Sequence, residues 1–482
     1  MKRMYLYRII LLLICIVLSA ACRNGVSDGQ TGPLLSAEQT NPASIRQEPS
    51  ETPMEESVSV MKSEEPNVPE QTLPPTPAPT DTPSPTPAPT DTPTPAPTAT
   101  PEPEKLREDL SSRCKFSCTQ KSVSAKTMTD DSLKTSVILA DKTELIYTWS
   151  DHVPADALYL FSFSRPDAFR ITQWDGAGNM LSEEEVKPSR MCLSYPLKEG
   201  CRKVTVHCVG RCKVNSFQIF GEGNAFPQQV VYWTEPETRD HCDLMLVSTH
   251  FDDEILMMGG VLPIYAGEQK RDCVVVYMKG TDKIRKLEAI QGLWEMGVRR
   301  EPVCLSCSSD SLQKALDNDA AGVFEKDNLE RLVALLRRYR PLVVVTHDVN
   351  GEYGHESHVK TSALVRRAVE LASDPSYDPE SAAQYGVWQV QKEYIHLWKE
   401  NPLELDTRSP LPHMGNRSAY AIAEKAFTYH KTQQKNWSVK ATDAKYPIGS
   451  FGLYFTAVGP DSGVNDMFEN TGFPQGNKPS EN

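Results

Sequence analysis

Apolar positions follow several different rhythms along the chain. The first block, Ile9 to Leu18, is continuous and follows Lys2, Arg3 and Arg8. It closes on the small residues Ser19, Ala20 and Ala21, directly before Cys22. A basic start, a short apolar core and small closing residues make residues 1–22 a secretory signal, shorter than a membrane span requires. From 23 to 105 no apolar period exists, and PTPAPTDTP occurs at 75–83 and again at 85–93. Such Pro/Thr composition cannot bury a core and favours extended polyproline II. At about 3.1 Å per residue the Pro-rich part reaches on the order of 100 Å, as a stalk would.

Between 106 and 233 the runs are short: SVILA, ELIYTWS, ALYLFSF, FRITQW, KVTVHC and SFQIFGEG. Turn-rich pieces such as 175-DGAGN-179 separate them, and no helical period is sustained, which predicts an all-β sandwich. From about 240 strands alternate with helices. LMLVS precedes a predicted helix over 255–266, and CVVVYM at 273–278 precedes one in which Ile284, Leu287, Ile290 and Leu293 recur. VCL, the helix EKDNLERLVALLRRYR and PLVVVT at 341–346 follow. The pattern predicts an α/β domain with a mostly parallel sheet over 240–465, and a tail over 466–482.

Ligands of such sheets bind beyond the carboxyl ends of the strands. THFDDE, at 249–254, follows one predicted strand, and HDVNGEYGHESH, at 347–358, follows another. Adjacent carboxylates repel, a cost that makes sense when something positive sits among them. His250-x-x-Asp253 can wrap one metal across a strand-to-helix turn, leaving Asp252 close to that metal and free of it. His355-x-x-His358 begins a predicted helix. Two histidines and one carboxylate match a catalytic zinc site, which keeps three protein ligands and a water. The same ligand types serve non-haem iron, but that reading wants an all-β barrel, and the alternating pattern argues against it.

Charge and cysteines narrow the classes further. The net charge is −13, from 51 Lys+Arg against 64 Asp+Glu, with no long basic run. Nucleic acid is therefore not an expected partner. Outside the cytosol, Cys114, Cys118, Cys192, Cys201, Cys208 and Cys212 favour disulfides, with the pairing open. Cys304-x-x-Cys307 has no second ligand pair nearby and reads as incidental.

Residues 240–440 resemble the PIG-L/LmbE family of zinc-dependent de-N-acetylases. The family's A-H-P-D-D-E stands here as Thr249-His250-Phe251-Asp252-Asp253-Glu254, with Phe251 in place of proline. Its H-P-D-H stands as His355-Glu356-Ser357-His358, without the inner aspartate. Asp348-x-Asn350-Gly351-x-Tyr353-Gly354-His355 is similar to the thiol-sugar deacetylase and amidase branch. Gly280 followed by Arg285-x-x-Glu288 resembles the R-x-x-E helix, and Lys425-Ala426…His430-x-Thr432-Gln433 the late helix motif.

The resemblance implies a Rossmann-like, LmbE-like fold with Zn2+ held by His250, Asp253 and His358. Asp252 would be the general base. His355 would be an imidazolium that stabilises the oxyanion and protonates the leaving amine. Arg285 would bind a substrate hydroxyl or phosphate, or pair with Glu288. Tyr353 would give a further hydrogen bond or serve surface packing. Glu254 would cap its helix, His430 would be a core residue, and His347, without a fixed assignment, could stand behind the metal ligands. The expected reaction removes N-acetyl groups from N-acetylglucosamine-containing glycans or glycoconjugates, such as cell-wall or surface glycans. The alternative is a carbohydrate-binding lipoprotein whose enzyme-like domain has decayed, a reading that Phe251 and Ser357 leave open.

The sandwich resembles discoidin-like, galactose-binding-type domains, which implies glycan contact, with a rigid spacer as the other reading. A chain beginning near 235 is then expected to keep activity on a small sugar. Small residues before Cys22 resemble a bacterial lipobox, with Ser19 at the usual leucine position. That implies lipidation of Cys22 and anchoring on the extracellular face of the bacterial cell membrane.

Overall fold

Residue alternation builds the first half of the chain. The structure, a computed structural model, describes residues 105–164, 166–233, 241–305, 327–439 and 445–472. The signal segment, the lipidation site read at Cys22, the Pro/Thr-rich stretch and Cys307 lie outside the described residues. Strands β1 (Lys115–Cys118), β2 (Val137–Leu139), β3 (Glu144–Thr148), β4 (Ala157–Ser164), β5 (Ala168–Trp174), β6 (Met180–Val186), β7 (Cys192–Pro196), β8 (Lys203–Val209) and β9 (Cys212–Phe220) come first. They form two antiparallel sheets, in the orders β1-β3-β8-β5-β6 and β2-β9-β4-β7.

Leu145, Tyr147, Ile171 and Val206 of one sheet share a core with Leu158, Leu160, Phe217 and Ile219 of the other. In β4 the even positions face that core. The odd positions, Ala157, Tyr159 and Phe161, belong to a second cluster on the opposite face, as the two-residue period of a strand requires. β6 carries Glu183, Glu184 and Glu185 along a sheet edge, where charge discourages further pairing. Its polarity hid it from hydrophobic patterning. The six cysteines of this half carry free thiols, so the expected disulfides are not formed here. Cys192, Cys201, Cys208 and Cys212 are instead buried as small apolar side chains.

The second half contains β10 (Leu244–Ser248), β11 (Cys273–Tyr277), β12 (Val303–Cys304), β13 (Val343–Thr346), β14 (Lys392–His396), β15 (Pro402–Glu404), β16 (Pro410–Leu411), β17 (Arg417–Ser418) and β18 (Ser450–Thr456). Helices among the described residues, in both parts, are α1 (Ala125–Met128), α2 (Asp253–Leu256), α3 (Lys283–Glu295), α4 (Asp327–Tyr339), α5 (Gly351–Gly354), α6 (Glu356–Ala372), α7 (Pro379–Tyr385) and α8 (Ala419–Phe427). The main sheet runs β12-β11-β10-β13-β14-β18-β15. β10 to β14 pair in parallel, whereas β18 is antiparallel to both neighbours, so the sheet is mixed. β10, β11 and β13 are buried throughout, which is why they read as unbroken apolar runs.

The helix predicted over 255–266 is not continuous. α2 stops at Leu256, and residues Pro263–Glu268 form a π-type turn. Gly259, Gly260 and Pro263 break the helix between them. At Gly260 a Cβ would stand 2.8 Å from Thr407 Cγ2 and 3.0 Å from the Ile448 carbonyl, so the missing side chain lets the Ile448 backbone pass closely. At the other end, Met467 and Phe468 are buried although they fall in the stretch predicted as a tail. The Met467 N–H donates to Tyr265 Oη at 2.8 Å.

The two halves share a core. Leu287, Ile290 and Trp294 of α3 pack with Tyr159, Phe161 and Met191 of the sandwich and with Trp233 of the segment that follows it. Trp294 Nε1 donates to the Gln228 carbonyl at 2.7 Å. A chain beginning near 235 would expose this face of α3. Ile290 is fully buried. Ile290→Ala should destabilise the protein by about 2–5 kcal/mol, as large-to-small core changes do. Both halves should melt in one shifted transition when followed by denaturant unfolding. Two separate transitions, with only one moved, would contradict the shared core.

Candidate metal centre and active site

The chain steps outward from β10 through β11 to β12, then returns to the other side of β10 as β13. The loops leaving β10 and β13 therefore meet where the strand order reverses, the usual ligand crevice of such sheets. The first loop carries Thr249 to Asp252 into α2, and the second carries His347 to His355 into α6.

Three ligand atoms converge there. Asp253 Oδ2 lies 3.0 Å from His250 Nδ1 and 3.2 Å from His358 Nε2, and the two nitrogens are 3.3 Å apart. A tetrahedral ion with bonds of about 2.0–2.1 Å spaces its ligand atoms about 3.3 Å apart. The triangle therefore has the size of one face of a four-coordinate site. Burial works against charge on Asp253, yet His358 and His250 hold it well below the usual carboxylate range. His358 is pushed up to about 10 by Asp253 and Glu352, against the opposite pull of burial. The position favours a cation, whether a proton or a metal ion.

Two other groupings also have metal-binding spacing: His250, His355 and His358, and Asp253, His347 and His358. Hydrogen bonds decide between them. His347 Nε2 accepts the Thr249 N–H at 3.0 Å, and its Nδ1 meets Glu352 Oε1 at 3.1 Å. Both of its nitrogens are committed. His355 Nδ1 accepts the Ser357 N–H at 3.2 Å, so in the neutral ring the proton sits on Nε2. Its ring stacks on His358 at 4.4 Å and meets His250 edge-on at 5.0 Å. Burial, then His358 and His250, push His355 down to about 4. Its resting form is thus neutral, and an imidazolium there would have to form during reaction.

Glu352 is the residue that motif spacing missed. It adopts φ +56° and ψ −80° inside α5. Its Oε2 meets His358 Nδ1 at 2.7 Å, and its Oε1 meets His396 Nδ1 at 3.0 Å and accepts the Asp348 N–H at 3.1 Å. Burial opposes its charge, while His347, His358 and His396 hold it well below the usual range. A carboxylate behind a ligating imidazole fixes the ring's orientation and raises its basicity. A signal was present: an acid between Gly351 and Gly354, both at positive φ, on a loop that must double back.

Asp252 stands apart from its neighbour. At φ +154° and ψ −20° its backbone is strained for a residue with a side chain, as happens at functional sites. Arg285 Nη2 donates to Asp252 Oδ1 at 2.5 Å and to the Phe251 carbonyl at 3.1 Å. Burial, then Asp253, push Asp252 up to about 8, with Arg285 pulling the other way. Glu254 Oε2 accepts the Asp252 N–H at 3.0 Å, a cap made from inside the core, and burial pushes Glu254 up to about 8.

Arg285 therefore serves Asp252, and Glu288 takes other partners, described below. Phe251 turns its ring inward, 4.6 Å from Tyr277 and beside Gly280, where a Cβ would come within 3.0 Å of it. Ser357, where the family pattern has aspartate, accepts from Lys279 Nζ at 3.3 Å. His430 is fully buried beside Phe427, their rings stacked at 5.8 Å. Burial, then Arg285 and Lys134, push it down to about 3.

The triangle opens into a cleft of about 170 Å³ that Tyr353, His355, Gln433 and Trp437 help to line. Tyr353 and Trp437 are 41% and 38% exposed, and their rings stand 5.4 Å apart at its mouth. Trp437 was not foreseen, because nothing local ties it to the two metal-side motifs.

Comparison with known proteins points the same way. The family model described as PIG-L: GlcNAc-PI de-N-acetylase matches residues 245–369. The 1D-myo-inositol 2-acetamido-2-deoxy-alpha-D-glucopyranoside deacetylase 1 of Catenulispora acidiphila is 29% identical over 208 residues, 38% of this chain and 63% of that protein. A deacetylase of the same description from Geodermatophilus obscurus is 41% identical over 81 residues, 16% of this chain and 26% of that one. The chain spans less than two thirds of the length of these relatives. The solved N,N'-diacetylchitobiose deacetylase of Pyrococcus horikoshii is 15% identical and covers 45% of this chain and 86% of its own, with a TM-score of 0.33. That score is too low to bear on fold or function. Residues 245–369 carry a PIG-L family domain with homology to deacetylases.

Proposed function

We propose that this protein is a lipid-anchored extracellular hydrolase that uses zinc to remove N-acetyl groups from N-acetylglucosamine-containing glycans or glycoconjugates. The observation that carries the reading is the triangle of His250, Asp253 and His358, 3.0 to 3.3 Å on a side, with Asp252 held beside it by Arg285. The acetamido-sugar substrates named for the relatives support the substrate class. The signal-like start and Cys22 support the location, with residues 23–105 as the stalk.

Zinc held by His250, Asp253 and His358 would supply Lewis-acid activation of water and of the amide carbonyl. Asp252 takes the proton of the attacking water; Arg285 holds its Oδ1 and leaves Oδ2 to receive that proton. His355 presents its Nε2–H to the developing oxyanion, becomes the imidazolium by taking up the proton that Asp252 removed from water, and passes a proton to the departing amine. Both groups thereby return to their starting forms, and acetic acid, released as acetate and a proton, leaves with the free amino sugar. Tyr353 and Trp437 offer flat apolar surface to a sugar ring at the mouth of the cleft.

The sandwich supplies a second contact for a longer glycan. A cavity of about 580 Å³ lies between Trp149, Trp174, Asp151, Asp175, Arg202 and Lys203. The indole Nε1 atoms of both tryptophans are buried without hydrogen-bond partners, and Lys203 Nζ lies 5.1 Å from the Trp174 ring centre.

The test of the reading is acetate release from a panel of N-acetylglucosamine-containing glycans by the zinc-loaded chain, with and without chelator. No release from any member would leave the carbohydrate-binding alternative.

Asp252 and Asp253 should differ in kind. Asp252→Asn should keep its metal while the rate falls by about 10²–10⁴, the usual worth of a general base. Asp253→Asn should lose metal and rate together. Metal loss in Asp252→Asn would show that the two roles are misassigned.

Glu352→Gln should weaken metal affinity by about 10–100-fold, as loss of a carboxylate behind a ligating histidine does. Equilibrium dialysis against zinc reads this directly, and unchanged affinity would remove Glu352 from the site.

Trp174→Ala should lose binding to a polymeric glycan while keeping the rate on a small N-acetylated sugar. Unchanged polymer binding would leave the sandwich as support alone.

A further inference from the structure

We propose that Lys134, in the sandwich, is a positioning residue for the catalytic cleft and acts through the buried carboxylate of Glu288. The proposal rests on the deacetylase reading above and names a part of the chain that the motifs do not reach.

Lys134 is held firmly for a lysine. It lies on the connection leading into β2, and Leu133, before it, is buried in the cluster shared by the two halves. Asn215 of β9, itself fully buried, donates through Nδ2 to the carbonyls of Leu133 and Thr135. The backbone is thus pinned on both sides of Lys134. From there its Nζ reaches Glu288 Oε1 at 2.7 Å and donates to the Tyr429 carbonyl at 3.3 Å.

Glu288 is fully buried and binds more than the lysine. Its Oε1 accepts the Thr432 N–H at 3.2 Å, and its Oε2 accepts the Thr432 hydroxyl at 2.6 Å. One carboxylate therefore joins three segments: the sandwich connection, helix α3 and the stretch after α8. Among the described residues, Lys134 is the cation recorded in an ion pair with it. A buried carboxylate that loses its cation must protonate, draw in water or move.

Two walls of the cleft hang on this tie. One turn before Glu288 on α3 stands Arg285, which fixes Asp252 Oδ1 and the Phe251 carbonyl. One residue after Thr432 stands Gln433, which lines the cleft, with Trp437 further along the same stretch. A shift of Glu288 would move both the support of the general base and the stretch that carries Gln433 and Trp437. The sandwich thus completes the active site without touching substrate there.

Lys134→Met and Lys134→Arg in the full chain test this. In Lys134→Met, kcat for acetate release should fall about tenfold, within what a displaced support can cost. Bound zinc should stay at wild-type stoichiometry. Lys134→Arg, which keeps the charge and several donors, should recover most of the rate. Amide hydrogen exchange over 428–437 should quicken in Lys134→Met, a readout that needs no substrate. Unchanged rate with unchanged exchange would overturn the proposal. So would a rate loss matched by equal zinc loss, or Lys134→Arg behaving no better than Lys134→Met. If the wild-type chain releases no acetate, the deacetylase reading fails. The exchange comparison then decides alone: faster exchange supports the tie and unchanged exchange overturns it.

Discussion

Burying several carboxyl groups at one place is the constraint around which the second half of the chain is organised. Asp252, Asp253, Glu254 and Glu352 are all within a few residues of the β10 and β13 exits, and none is more than 8% exposed. Each burial costs several kcal/mol unless the charge is paired or neutralised. The structure meets that cost differently for each acid. Asp253 faces His250 and His358, and Glu352 faces His347, His358 and His396. Asp252 has Arg285, and Glu254 is driven toward its neutral form by burial. The excess of acid over fixed cation is concentrated where three ligand atoms converge, which is what a divalent ion requires.

The same electrostatic logic extends across the molecule. Arg285 can restrain Asp252 only if α3 is held in place, and α3 is held by two means. Leu287, Ile290 and Trp294 bury one face against the sandwich, and Glu288 ties the helix to Lys134 and Thr432. The sandwich is consequently part of the frame of the active site. Its own cavity, lined by Trp149 and Trp174, opens elsewhere on that domain, so one domain can support the chemistry and hold a longer ligand as well.

Much of the site was legible in the sequence because its chemistry is local. His250, Asp253, His355 and His358 sit at three-residue spacings in the segments that follow two predictable strands, so the α/β pattern set both clusters on one rim, and the family resemblance supplied the choice of ligands. Glu352 was harder. It acts through a backbone with positive φ, and no periodicity marks such a residue. The pairing of Lys134 with Glu288 spans 154 residues and was invisible, because a lysine on a polar connection reads as solvated surface. The helix drawn over 255–266 failed for a local reason: apolar periodicity outvoted Gly259-Gly260. The acidic edge strand β6 failed for the opposite one, since its side chains face water. The cysteines misled because their number suggested cross-links, whereas the folded sheets use them as small core residues.

The arrangement makes one statement that a single measurement can settle. His250 Nδ1, Asp253 Oδ2 and His358 Nε2 should form the binding face for one metal ion, with Asp252 held off it by Arg285. Crystals of the chain grown with zinc, with data collected across the zinc absorption edge, would show where the ion sits. The prediction is one strong anomalous peak capping that triangle, about 2.0–2.2 Å from each of the three atoms. Asp252 should remain on Arg285 and outside bonding distance of the ion. A peak coordinated by Asp252, or a triangle left empty while zinc binds elsewhere, would contradict it.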